Sequence, residues 1–101
     1  MYDAGMLENL FVKSISLIVE AKGNDAFRRG NAVNAALFDS MMIGVASRLQ
    51  KREMQPDECR KIYDRIMIDP SFVQNSTYST ADEKNLKERI KIAIEQFSNG
   101  L

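Results

Sequence analysis

Few residues in this chain are of types that do chemistry at neutral pH. It has no histidine and one cysteine among 101 residues. Histidine is the commonest general base and metal ligand, so its absence removes most acid–base and metal chemistry. Cys59 has no histidine to activate it and no second cysteine to join it. A Cys–His nucleophile, a zinc site and an intramolecular disulfide are therefore excluded. The serines lack the same partner. Asp39, Asp57, Asp64 and Asp69 do not pair with a base on one helical face, so no acid–base dyad forms. Gly5, Gly23, Gly30, Gly44 and Gly100 are scattered and build no phosphate-cradling loop. No enzyme, cofactor or metal is expected from these residues.

The cations offer a different chemistry, contact with phosphate. Arg28 and Arg29 stand side by side before Gly30, close to the start of the next helix. They read either as a solvated loop pair or as an anion contact aided by exposed helix N–H groups. Lys84, Lys87, Arg89 and Lys91 lie along the last helical stretch. They read either as a solvated face balanced by Asp82, Glu83 and Glu88, or as a basic rim for a nucleic-acid backbone. No aromatics are interleaved there to stack bases. Asn34 is the remaining polar residue of interest. It either caps the following helix, or lies within that helix's apolar face and needs buried partners.

Bulk composition sets the frame. Lys plus Arg equals Asp plus Glu, at 14 each, so no global field draws in a polyanion. With 45% hydrophobic and 28% charged residues, the chain reads as one globular domain over residues 1–101. No uncharged run approaches the roughly 18 residues of a membrane span. Asp3 and Glu8 stand where a signal peptide would be basic, so none is expected. One unpaired thiol, placed on an apolar helical face, suits the reducing cytoplasm and a core position.

The elements that carry these residues all read as helices. The expected fold is all-α: a bundle of four main helices at about 4–22, 31–52, 56–68 and 81–98, with a short helical turn at 70–73. Asp3 is the expected cap of the first helix and Gly23 its stop. Leu7, Leu10, Phe11, Ser14, Ile18 and Ala21 keep its i, i+3/i+4 rhythm. Met6, Val12, Ile15, Leu17 and Val19 widen the stripe, so this helix is either deeply buried or meets another chain. The second helix, capped by Asn31 or Asn34, is the expected centre. Leu37, Phe38, Met41, Met42, Val45 and Leu49 share one broad face, with Phe38 taken as core. Lys51, Arg52 and Glu53 end it in water. Pro56 opens the third helix, with Cys59, Ile62, Tyr63 and Ile66 inward. Gln74–Ser79 reads as a loop. A capping box, Thr80 with Glu83, opens the last helix, whose stripe is Leu86, Ile90, Ala93, Ile94 and Phe97.

One stretch carries more than a generic bundle. Ala26-Phe27-Arg28-Arg29 is followed, after a short gap, by Asn34, Ala36, Leu37, Phe38, Asp39, Ser40, Met42 and Ala46. This pattern resembles the C-terminal helical part of the GmrSD-like family, bacterial proteins with an N-terminal ParB-like nuclease fold. The likeness continues through Asp69-Pro70-Ser71-Phe72, Thr77-Tyr78-Ser79-Thr80 and the Glu88–Phe97 ending. In that family the nuclease and nucleotide-dependent chemistry sits around an Asp-Gly-Gln-Gln-Arg motif in the N-terminal domain. The motif is absent from this sequence, so no catalytic residue carries over. The resemblance implies a separated C-terminal module: a truncated gene, a split subunit or a fragment. Its partner would be a ParB-like nuclease-fold domain in cis or trans.

Two functions follow as expectations. The first is a non-catalytic interaction or scaffold module. The second is a small nucleic-acid-binding protein using Arg28, Arg29, Lys84, Lys87, Arg89 and Lys91. A homo-oligomer is also expected, because the first helix is nearly apolar all round, and Ile43 and Ile92 fall off their helices' main stripes.

Overall fold

Among the described residues, the apolar periodicity near 3.6 residues resolves into five α-helices and one minute hairpin. The computed structural model describes residues 4–77 and 79–100. Asp3, the expected first cap, and Tyr78, in the expected loop, lie outside them. In order come α1 (Ala4–Lys22), a 3-10 turn (Gly23–Asp25), β1 (Arg28–Arg29), β2 (Ala32–Val33), α2 (Ala35–Leu49), α3 (Pro56–Met67), α4 (Pro70–Thr77) and α5 (Glu83–Asn99). The all-α bundle is the architecture.

The largest packing surface is between α2 and α5. Gly44 makes it close: a Cβ built there would lie 2.7 Å from Phe97 Cδ2 and 3.0 Å from the Ala93 carbonyl oxygen. The core continues through Ile18, Leu37, Met41, Val45, Cys59, Ile62, Ile66, Phe72, Ala93 and Phe97, all fully buried. Phe38 is not among them. It is half-buried and packs its ring on Phe27, with centroids 4.9 Å apart at 55°. Leu37, one position earlier, takes the centre.

Several boundaries differ from the expected ones, each for a local reason. The second helix begins at Ala35, not 31, because Ala32–Val33 pairs antiparallel with Arg28–Arg29. Asn34 is its cap: Oδ1 accepts from the N–H groups of Ala36 (2.9 Å) and Leu37 (3.1 Å). That satisfies two of the helix's orphan donors. The turn at 70–73 extends into a full helix through Thr77, so residues 74–77 are not loop. Asp69 caps it by accepting from Phe72 N–H, and Ser76 folds its hydroxyl back onto the Phe72 carbonyl. No Thr80 capping box forms. Asp82 caps α5 instead, accepting from Lys84 N–H at 2.9 Å, and the helix starts at Glu83.

The carboxyl end of α5 shows the other departure. This helix has no cation of its own in its last turn. Three arginines from elsewhere supply them: Arg48 Nη1 donates to Phe97 O (3.1 Å), Arg52 Nη2 to Ser98 O (3.1 Å) and Arg65 Nη2 to Gly100 O (3.0 Å). Positive charge at the helix's negative end, with donors for its orphan carbonyls, fastens α2 and α3 to α5. Arg48 is 1% exposed and also makes a two-pronged pair with Glu58, at 2.9 and 3.0 Å. Arg52 ends the second helix in water as expected, and both it and Arg65 join this clasp while remaining exposed.

Candidate functional site

The cations of the sequence reading do not assemble into one patch. Arg28 is exposed on the hairpin, where its Nη1 donates to the Asn31 carbonyl at 2.9 Å. Arg29, its neighbour on the strand, points the other way and donates to Ser76 Oγ at 2.8 Å. Arg89 is 3% exposed. Its Nη1 donates to Thr80 O (2.8 Å) and Asn75 O (3.4 Å), and Nη2 stands 3.8 Å from Asp39. Arg29 and Arg89 therefore tie α4 to the hairpin and to α5, and Arg89 presents no surface cation. Lys84, Lys87 and Lys91 are exposed on the opposite side of α5. Lys87 pairs with Glu83 at 3.0 Å, one turn earlier.

The resemblance-bearing residues turn out to have structural partners. Phe27 adopts a positive φ of 61°, which only a well-held non-glycine residue keeps. Its N–H donates to Tyr63 Oη at 2.9 Å and its carbonyl accepts from Asn34 N–H at 2.8 Å. Arg29, Asn34, Leu37, Phe38 and Asp39 then reach α4, the α2 backbone, the core, the Phe27 ring and Arg89 in turn. This stretch is the knot that joins the hairpin to four helices.

Among the described residues, several large apolar side chains are also left exposed. Leu7, Phe11, Val12 and Val19 of α1 are 51, 51, 54 and 48% exposed, and Ile43 of α2 is 41% exposed. Ser14 and Ile18 further along α1 are fully buried, while Leu7 and Phe11 face α2. Between them, Phe38, Met42 and Ile43 lies an open groove of about 290 Å³, with Asp39 among its lining residues. These half-exposed apolar side chains are gathered in one place rather than scattered singly. A second groove, about 450 Å³, runs along α5 beside Leu86, Ile90 and Ile94, between Lys87 and Lys91. The expected inward stripe of α5 is thus split: Ala93 and Phe97 are buried, while Leu86, Ile90 and Ile94 form a half-buried flank.

The chemistry of the remaining groups is quiet. Cys59 is buried and unbridged; burial and the neighbouring Glu58 carboxylate push its thiol up to about 12. Burial also raises the Tyr63 phenol above its ordinary value. Among the described residues, no three of His, Cys, Asp and Glu come together as a metal site. No helix among them is long and apolar enough to cross a membrane. No protein-family model, curated protein or solved structure matches the chain.

Proposed function

We propose that this chain is a non-catalytic helical interaction module whose α1–α2 groove docks a ParB-like nuclease-fold domain, in cis or in trans. The observation that carries the reading is the gathering of Leu7, Phe11 and Ile43, each about half exposed, around one apolar groove. Removing such surface from water contributes roughly 25 cal/mol per Å². The identity of the partner rests on the resemblance of Ala26–Arg48 to the GmrSD-like family, where such a domain precedes this helical region. The absence of histidine, a thiol held protonated and the lack of a carboxylate–base pair support a role without chemistry of its own. The unpaired thiol suits the cytoplasm as its location.

The nucleic-acid alternative has less support. Arg29 and Arg89 are turned into the protein, and Glu83 and Glu95 lower the net charge beside Lys84, Lys87 and Lys91. It requires salt-dependent binding. A low-salt gel shift with no retarded band counts against it.

The docking reading is tested by mixing the chain with a ParB-like nuclease-fold domain and measuring mass by size exclusion with light scattering. The expected result is one peak at the summed mass. Two separate peaks at micromolar concentration would overturn the reading.

A further inference from the structure

We propose that two copies of this chain associate through the outer face of α1, antiparallel, about a two-fold axis near Ile15. This surface is distinct from the groove: Val12 lies about 100° round the helix from Phe11. Along it run Glu8, Val12, Ile15, Val19 and Lys22, at spacings of four, three, four and three residues. That alternation is the seam of a two-helix coiled coil. Val12 and Val19 are about half exposed, while Ile15 between them is partly covered by the core and Lys22 is held by Asp64.

The pattern is close to symmetric about Ile15, as a two-fold interface requires of one surface meeting itself. Reversing one helix about Ile15 places Glu8 of each copy level with Lys22 of the other. It also places Val12 of each copy within one residue of level with Val19 of the other. A parallel pair would set the two Glu8 carboxylates side by side; the antiparallel pair holds them about 21 Å apart along the helix. Lys22 is already fixed by Asp64 and stands 5.3 Å from the Tyr63 ring centre. Glu8 therefore adds a second carboxylate to one ammonium, and the separation of like charges is what chiefly sets the direction.

The area sets the strength. The 19 residues of α1 span about 28 Å. One helix pair of that length buries on the order of 500 Å² per copy, at the low end for specific association. The dimer is accordingly weak, with a dissociation constant in the micromolar range rather than the nanomolar.

Light scattering of the full chain from about 1 μM to about 1 mM, a range that brackets such a constant, should show the mass rise from 11.5 kDa toward twice that value. Val12→Lys and Val19→Lys should each raise the dissociation constant at least about tenfold, near 1.4 kcal/mol. Their melting temperature in dilute solution should not change, because both side chains are half exposed. Oxidative cross-linking tests direction. Cys59 is buried with its thiol held protonated, so introduced thiols report alone. A mixture of Val12→Cys and Val19→Cys chains should cross-link, whereas either alone should not, its own thiols being about 9 to 12 Å apart along the axis. A chain that stays at 11.5 kDa throughout, or cross-links formed by each variant with itself, would overturn the proposal.

Discussion

Arg48 shows how much of this small protein hangs on single polar side chains. Its guanidinium donates to Glu58 twice, to the Glu53 carbonyl (2.9 Å) and to the Phe97 carbonyl, all at a nearly fully buried position. Removing one partner from such a pair leaves an uncompensated charge and unmade carbonyl bonds. Arg48→Met should therefore destabilise the fold by roughly 3 kcal/mol. Urea denaturation measures this, and adding Glu58→Gln should recover part of the loss. A second residue-scale test concerns Cys59, whose ordinary thiol value is 9.0 and whose folded value is about 12. Below the ordinary value the thiol is neutral in both states and stability does not depend on it. Between the two values the unfolded chain has lost a proton that the folded chain retains. Stability then falls as pH rises, by about 1.4 kcal/mol per pH unit. Tyr63, also raised, adds a slope of the same sign beginning near its own ordinary value. The stability difference between wild type and Cys59→Ala, followed by urea melts across alkaline pH, should be constant up to about pH 9 and shrink above it.

Helices were legible from periodicity and the details of their ends were not. α1 and α3 fall within a residue of their expected bounds, because Gly23 and Pro56 act locally: one takes a positive φ of 57° and the other needs no N–H at a helix start. The start of α2 was obscured by the hairpin, since two residues of strand pairing leave no alternation to read. The start of α5 depended on which of Thr80 and Asp82 would cap, and the competing oxygens lie two positions apart. Arg48, Arg52 and Arg65 are invisible as a clasp for a further reason. Their partners are backbone carbonyls more than thirty residues away, and side-chain pattern carries no record of them. Arg89, read with Lys84, Lys87 and Lys91 as a charged face, is likewise held by backbone carbonyls, those of Asn75 and Thr80. Gly44 likewise reads as a neutral helix residue until α5 is placed against it. Gly44→Ala improves helix propensity by roughly 1 kcal/mol. The added methyl meets the buried Phe97 ring and the Ala93 backbone, and overpacking of that kind costs about 1–3 kcal/mol. The net effect should be a lower melting temperature by calorimetry.

The whole chain forms a bundle of 34 × 29 × 25 Å with a radius of gyration of 12.9 Å. On that scale α1 is the uneven part, well covered at Ser14 and Ile18 and open at Leu7, Phe11, Val12 and Val19. The sequence already carried this imbalance, since apolar residues occupy too many sides of α1 for one neighbour to cover. What periodicity alone left open was which of those residues the bundle would reach. The groove side and the outer side of α1 give two separable tests, one for a different chain and one for a second copy. The cationic residues give the competing explanation for function, on α5 rather than α1. Titration of a ParB-like nuclease-fold domain into wild type, Leu7→Asp and Lys87→Glu chains, at physiological salt, sets the two against each other. Leu7→Asp should weaken binding at least about tenfold, near 1.4 kcal/mol, with Lys87→Glu close to wild type. Equal binding by wild type and Leu7→Asp, or loss confined to Lys87→Glu, would contradict the assignment of the α1–α2 groove as the docking surface.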